Sequence, residues 1–208
     1  MPIIATAKGN GQRQLPPAGT HLARCYAVCD LGTQLGEFQG KPKKARKCRI
    51  FFELPNEQAV FNESGKKEPH TVSKEFTLSL HKKAELRKVL ESWRGRPFTD
   101  EELDKFDVAK LIGAPAIITI GHEPRKDGEG NYAKILNVTK LMSQMTNSMP
   151  PAINIPWSYE LSMQRNDTFK ALPDWLQEKI SNCEEWTRPA PSHDPEPAPI
   201  ETADDVPF

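Results

Sequence analysis

Apolar and polar residues alternate along much of this chain with the period of two that is typical of half-buried β-strands. The pattern is clearest in residues 44–54, where apolar residues alternate with a face that carries Lys47, Arg49 and Phe51. Turn-forming Gly, Pro, Asn and Asp residues separate the alternating segments. We predict five strands from this pattern, at residues 20–31, 44–54, 71–80, 116–122 and 132–141.

A helical period interrupts the alternation between the third and fourth predicted strands. Apolar residues from Leu86 to Trp93 recur at helical spacing, and Gly95 follows as a signal for the end of a helix. We therefore expect Trp93 to lie in the core. Thr99 and Glu102 have the spacing of a capping box, which predicts a second short helix that ends near residue 106.

The predicted order is three strands, a helical excursion and a two-strand hairpin. The OB-fold, a five-stranded Greek-key barrel, has its helix at the same point in the chain. We therefore predict a mainly β, OB-fold-like domain with a helical insertion between strands 3 and 4. The alternative is an α+β sheet of another topology.

Composition divides the rest of the chain around this domain. Residues 1–18 are polar and rich in Gly and Pro, which predicts a flexible arm before the domain at 19–142. Residues 143–183 carry a short predicted helix near 174–182 and four aromatic residues that we expect to dock on the barrel: Trp157, Tyr159, Phe169 and Trp175. Residues 184–208 are Pro-rich and acidic, and they predict a disordered tail.

The formal charge of zero hides an asymmetry between body and tail. Residues 184–208 contain seven acidic residues and one basic residue, which gives −6, so residues 1–183 carry +6. A basic body indicates a surface for polyanions. No apolar run approaches membrane-spanning length and no signal peptide is evident, so we expect a soluble, cytoplasmic protein, in the host cytoplasm if it is phage-encoded.

The strongest candidate surface is the basic segment 41–49, in which six of nine residues are cationic and none is acidic. Cations beside an exposed aromatic ring suit single-stranded nucleic acid, because the cations follow phosphates and the ring stacks on any base. In OB-folds, the loops between strands 1 and 2 and between strands 4 and 5 flank the binding face. The alternative is a solvated charge run that keeps a sheet edge soluble. The predicted site is Lys41, Lys43, Lys44, Arg46, Lys47, Arg49, Phe51, Arg125 and Lys126.

The last five residues form a small acidic and apolar peptide, Asp204, Asp205, Val206, Pro207 and Phe208. This ending resembles the acidic tip of bacterial single-stranded DNA-binding proteins, through which those proteins recruit replication and repair enzymes. With the OB-like order of elements, the chain as a whole resembles phage-type single-stranded DNA-binding proteins. Only the tip matches at the level of a motif, so no individual DNA-contacting residue is transferred from the family.

The resemblance implies a sequence-tolerant protein that protects single-stranded DNA and recruits replication, recombination or repair enzymes through its tip. The body lacks the N-terminal strand pattern of the cellular bacterial family, and a monomer or dimer is therefore expected more than a tetramer. The alternative function is a non-catalytic replisome adaptor, with the OB-like body as a scaffold that binds protein partners rather than DNA.

Catalytic motifs are absent from the sequence. There is no P-loop, GxSxG, HExxH or dinucleotide fingerprint, and we expect neither an enzyme nor a cofactor. The four cysteines include no CxxC pair. Cys25 and Cys29 are expected on one face of a strand but about 13 Å apart, too far for one metal ion. We predict reduced thiols that pack as small apolar groups, and no metal site.

Overall fold

The computed structural model describes residues 14–38, 40–61, 63–125, 128–161 and 165–187, and this part of the chain contains a mainly β architecture. The strands form one open sheet in the order β3-β2-β1-β4-β5 with antiparallel neighbours, and β6 pairs in parallel with β1. All five strands predicted from the alternation are present. The strands are β1 (Gly19–Phe38), β2 (Lys41–Val60), β3 (Lys67–Thr77), β4 (Pro115–Pro124), β5 (Asn131–Thr139) and β6 (Trp157–Tyr159).

The first two strands are much longer than predicted. Each has 20 residues, and their pairing continues from Arg24 opposite Glu53 to Phe38 opposite Lys41. The loop that Gly and Pro residues predicted after residue 31 is therefore wrong, because the chain continues as paired strands and turns only near Gly40, at a positive φ of 73°. We call residues 33–46 the hairpin arm.

A β-bulge in β1 changes which face its later side chains occupy. The register with β2 shifts between Cys25 and Ala27, and Tyr26 is the extra residue. Cys25 and Cys29 consequently lie in different hydrophobic clusters, and the prediction that they share one face is wrong. Both are buried free thiols, as are the other two cysteines, Cys48 and Cys183. Burial raises the pKa of Cys25 to about 12, so its thiol stays protonated.

Helices cover one face of the sheet. Helix α1 (Glu85–Arg94) buries Leu86, Leu90 and Trp93, as its period predicted, and the predicted capping box opens α2 (Asp100–Asp104). Short 3₁₀ turns lie at Val108–Leu111 and Ser143–Ser148. We call the cluster under the helices the helix-side core; it includes Cys25, Ile50, Phe52, Leu90, Trp93, Ile118 and Ile135.

The C-terminal segment from residue 143 to 187, which we call the C-terminal extension, covers part of the opposite face. It contains β6 and the short helices α3 (Asp167–Lys170), α4 (Asp174–Ser181) and α5 (Glu184–Thr187). Residues 184–187, which composition assigned to the tail, are thus helical. The extension-side core comprises Ala27, Cys29, Leu31, Phe51, Tyr159, Phe169, Leu172, Leu176 and Ile180. Across the described ranges, no helix has both the length and the apolar character that crossing a membrane requires.

Candidate nucleic-acid interface

A groove of about 1150 Å³ lies against β2, β3 and β5, and we call it the main groove. Strand β3 approaches β5 along it, where Lys74 Nζ donates to the Ile135 carbonyl at 3.3 Å. Side chains that come from distant parts of the sequence line this space. Its cationic and aromatic lining residues are Tyr26, Arg49, Phe51, Phe61, Lys74, Arg125, Tyr132, Lys134 and Trp175.

Phe51 lies at the bottom of the groove and is only 7% exposed. Three rings surround it, with centroids at 6.1 Å for Tyr26, 5.3 Å for Trp157 and 6.5 Å for Trp175. The prediction of an exposed ring at Phe51 is therefore wrong. The alternation correctly gave its side of the strand, but that side is covered by the C-terminal extension.

Three other aromatic side chains of the groove are open to solvent. Trp175 is 46% exposed, and Tyr132 and Phe61 are each 39% exposed. Phe61 is fixed by an edge-on contact with His70, with ring centroids 4.9 Å apart. Exposed rings in a groove provide surfaces on which bases stack without regard to their identity.

The cations of the groove are held by carboxylates at its rim. Arg49 donates to Glu75 Oε2 at 3.2 Å and Lys74 Nζ lies 2.9 Å from Glu85 Oε1. Lys134 donates to Glu123 Oε1 at 2.6 Å. The Lys74 and Lys134 pairs are partly exposed and contribute about 0–1 kcal/mol each, so a phosphate can replace their carboxylates at small cost. The Arg49 pair is more buried, with side chains 22% and 23% exposed.

The Glu123 carboxylate also accepts a hydrogen bond from the Tyr132 hydroxyl, at 2.8 Å. Hydrogen bonds from Lys134 and Tyr132 lower the pKa of Glu123. The hydrogen bond between Lys134 and Glu123 also raises the pKa of Lys134. Both groups are therefore charged at neutral pH. One carboxylate thus places a cation and an aromatic ring side by side on β5.

Two anchors hold non-sheet segments against the groove. Fully buried Glu53 accepts hydrogen bonds from the Asn154 backbone N–H at 2.7 Å and from its Nδ2 at 2.9 Å. Arg24 Nη1 lies 3.9 Å from Glu53 Oε1, and its Nη2 donates to the Pro150 carbonyl at 2.7 Å. At another edge, His122 Nε2 lies 2.8 Å from the carbonyl oxygen of Pro16. Asn154 and Pro16 both line the groove.

The hairpin arm carries four of the eight cations predicted from the sequence, Lys41, Lys43, Lys44 and Arg46. Lys44 Nζ donates to Glu184 at 2.8 Å, and Arg46 pairs with Asp30. The hydrogen bond to Asp30 raises the pKa of Arg46. A smaller groove of about 290 Å³ lies beside the arm, and none of the described residues that line it is aromatic. We call this space the hairpin groove.

The nine predicted site residues thus separate into four groups. Arg49, Phe51 and Arg125 line the main groove, whereas Lys43 and Lys47 line the hairpin groove. Lys41, Lys44 and Arg46 line neither. Lys126 lies outside the described residues, as does the predicted partner-binding tip, Asp204, Asp205, Val206, Pro207 and Phe208.

Several residues of the main groove are not among the nine predicted site residues. Tyr132 and Lys134 could have been found, because they alternate in β5 with the apolar residues Ala133 and Ile135. Trp175 was assigned to docking alone. Its place in the groove depends on how the extension packs on the sheet, for which there is no local signal.

Among the described residues, no group of three or more His, Cys, Asp or Glu side chains is arranged to hold a metal ion. No protein-family model matches the chain, and no curated protein matches it significantly.

Proposed function

We propose that this chain is a sequence-tolerant single-stranded DNA-binding protein. The observation that carries the proposal is the main groove, in which four cationic and several aromatic side chains line one continuous surface. Two carboxylates, Glu68 and Glu75, also line it, and Glu85 and Glu123 pair with Lys74 and Lys134, so a phosphate would bind by displacing carboxylates from these cations. Single-stranded nucleic acid presents phosphates and base faces together, and this mixed lining is complementary to both.

The order of elements supports an OB-fold-like body for this function. Three long strands, a helical segment and a β4–β5 hairpin follow one another, and β3 approaches β5. In OB-folds the loop between strands 4 and 5 borders the ligand face. Here that hairpin supplies Arg125, Tyr132 and Lys134 to the main groove.

Single-stranded rather than double-stranded DNA is the expected ligand because of where the rings lie. Phe61, Tyr132 and Trp175 are partly exposed rings, and a base offers its face to such a ring when it is not stacked and paired within a duplex. Stacking on such rings contributes about 1–3 kcal/mol per base and tolerates any base. Phosphate contacts then supply affinity that depends on salt rather than on sequence.

The acidic segment Asp204–Phe208 gives the proposal its second part, recruitment of replication, recombination or repair enzymes. Its support is the resemblance of those five residues to the tips of bacterial single-stranded DNA-binding proteins. The Phe side chain would enter an apolar pocket of the partner, and the two carboxylates would meet Lys or Arg side chains at its rim.

Titration of labelled oligonucleotides tests the proposal directly. Single-stranded oligonucleotides of several sequences are expected to bind with similar Kd, and duplexes of the same length more weakly. The logarithm of affinity is expected to fall by about 0.7 per log unit of salt for each phosphate contact. An absence of salt-dependent binding to any single strand would contradict the proposal and favour the adaptor that binds only proteins.

A further inference from the structure

Helix α4 belongs to the C-terminal extension, and it carries both buried side chains and side chains that are partly accessible to solvent. Leu176 and Ile180 are fully buried and dock the helix on the sheet. Trp175 and Lys179, also four residues apart, are neighbours on the helix surface and remain partly accessible. Docking therefore fixes the positions of a ring and an ammonium group beside the sheet.

Trp175 lies over the cationic part of the main groove. The centroid of its ring is 5.1 Å from the guanidinium carbon of Arg49 and 6.5 Å from the ring centroid of Phe51. This cation–π contact leaves part of the Trp175 ring exposed, so a base can still stack on it. The contact also holds the Arg49 guanidinium close to the phosphate that would be next to that base. The exposure of Trp175 exceeds that of the other groove rings, Tyr132 and Phe61.

Lys179 joins a cluster of three cations around a single carboxylate. Glu75 Oε2 is 2.5 Å from Lys179 Nζ and 3.2 Å from Arg49 Nη2, and Glu75 Oε1 is 3.8 Å from Lys47 Nζ. Burial would raise the pKa of Glu75, but the hydrogen bonds from Lys179 and Arg49 outweigh it and lower the pKa below the ordinary value. The carboxylate is thus ionised, and the cluster keeps an excess of positive charge.

Glu75 also marks the boundary between the two grooves. It lines both of them, whereas Arg49 lines the main groove and Lys47 and Lys179 line the hairpin groove. A strand that leaves the main groove at Trp175 would therefore meet these cations next.

We propose that α4 completes a binding subsite for one nucleotide of single-stranded nucleic acid, with Trp175 stacking on the base and Lys179, Arg49 and Lys47 binding the adjacent phosphate. The phosphate takes the position that Glu75 occupies as an internal counterion in the free protein. The subsite extends the path from the main groove toward the hairpin groove. It rests on the proposed function, since it assigns the C-terminal extension to the same DNA interface.

Substitution of Lys179 tests the phosphate contact, with Lys170 as the matched control. Lys170→Gln removes the same charge from the same extension. Lys170 lines neither groove, and among the described ion pairs it pairs only with exposed Asp167. Lys179→Gln is expected to reduce the salt slope for an oligothymidine by about 0.7, the contribution of one single-strand phosphate contact. Lys170→Gln is expected to leave the slope unchanged. Equal slopes for Lys179→Gln and the wild type would overturn the phosphate contact.

Substitution of Trp175 tests the base contact. Trp175→Ala is expected to weaken binding about 5-fold to 150-fold, the range that stacking of one base supplies, with little change in salt slope. Trp175→Phe, which keeps a ring, is expected to recover most of the affinity. Ile155→Ala serves as the control, because Ile155 is an exposed apolar residue of the extension that lines neither groove. Wild-type affinity in Trp175→Ala would overturn the stacking role.

Substitution of Glu75 gives an effect of the opposite sign. Glu75→Gln keeps the shape of the side chain and removes the competing charge, so DNA affinity at low salt is expected to rise by about 5-fold, the effect of one unit charge about 4 Å away in water. A purely structural Glu75 would give unchanged or weaker binding, which would overturn the displacement step. Thermal unfolding of each variant separates these outcomes from loss of fold.

The experiments also separate this inference from the proposed function. If the wild-type protein fails to bind single strands, the function itself is wrong. If the wild-type protein binds and Lys179→Gln, Trp175→Ala and Glu75→Gln bind identically, the interface exists but α4 is not part of it.

Discussion

The hairpin arm and the main groove are both basic, yet they differ in how their charges come together. In the arm, Lys41, Lys43, Lys44 and Arg46 are close in sequence, and no ring lines the adjoining groove among the described residues. In the main groove, the cations come from β2, β3, β5 and the β4–β5 turn, and aromatic rings line the same space. The arm is a local feature of the chain, and the groove is a product of the tertiary fold.

Under the proposed function, the difference means that charge density in a sequence is an incomplete guide to a binding surface. Successive residues of a strand point to opposite faces, so a run of cations is divided between two sides of the arm. A nucleic acid needs phosphate contacts and stacking surfaces along one path. The main groove has both cations and exposed rings in its lining.

The largest expected effect is on the free energy of unfolding, which we compare for a residue at the bottom of the main groove and a residue of the hairpin arm. Phe51→Ala removes a buried ring from the extension-side core and is expected to lower the free energy of unfolding by about 3–5 kcal/mol. Leu35→Ala in the arm, where the side chain is 71% exposed, is expected to change it by less than about 0.5 kcal/mol. Chemical denaturation measures both. A small loss for Phe51→Ala would show that the extension does not cover this ring in solution.

The next effect compares the anchor of the groove with an ion pair of the arm. Glu53→Gln weakens the charged hydrogen bonds that hold Asn154 and leaves Arg24 without its carboxylate, so a loss of about 1.5–3 kcal/mol is expected. Arg46→Gln breaks an exposed pair with Asp30 and is expected to cost at most about 1 kcal/mol. Denaturation midpoints at equal m-value measure the two losses. Equal losses would mean that burial does not distinguish these carboxylates.

Local signals account for the parts of this fold that were predicted correctly. The stripe of α1, the Thr99 and Glu102 capping box and the existence of five strands all depend on neighbours a few residues apart. The long hairpin arm was missed because Gly and Pro residues also occur inside paired strands when cross-strand pairing continues.

The candidate site was only partly predictable for the same reason. Arg49 and Arg125 were predicted and line the main groove, but the exposure of Phe51 depended on Trp157 and Trp175, more than 100 residues away in sequence. The alternation of β2 identified a face and could not indicate that a distant segment covers it. The partners of the arm cations, such as Glu184 for Lys44, were equally invisible locally.

The third comparison concerns DNA binding by the two basic regions. Arg125→Gln with Lys134→Gln removes two groove cations and is expected to reduce the salt slope for single strands by about 1.4, at about 0.7 for each contact. Lys41→Gln with Lys44→Gln removes two arm cations that line neither groove, and a change well below that value is expected. Titrations at several salt concentrations measure both slopes. A larger reduction for the arm variant would move the site from the groove to the arm.

The smallest expected effect is the pH dependence of thermal stability that Glu75 contributes. Burial would raise its pKa, but hydrogen bonds from Lys179 and Arg49 hold the pKa below the ordinary value of 4.5. A carboxyl group whose pKa is lowered on folding stabilises the protein above its unfolded pKa, and this stabilisation is lost as the pH falls through the folded pKa. The Tm difference between wild type and Glu75→Gln is therefore expected to be constant from about pH 5.5 to 8 and to shrink below about pH 4.5. The Glu75 side chain is 23% exposed. Its hydrogen bonds contribute about 1 kcal/mol net, so the expected difference is about 2–4 °C in a chain of this size. Glu37→Gln in the hairpin arm is the control, because it changes the net charge by the same amount, and its Tm difference from the wild type is subtracted. A difference that grows on acidification would show that Glu75 is not held as an ion between the two grooves.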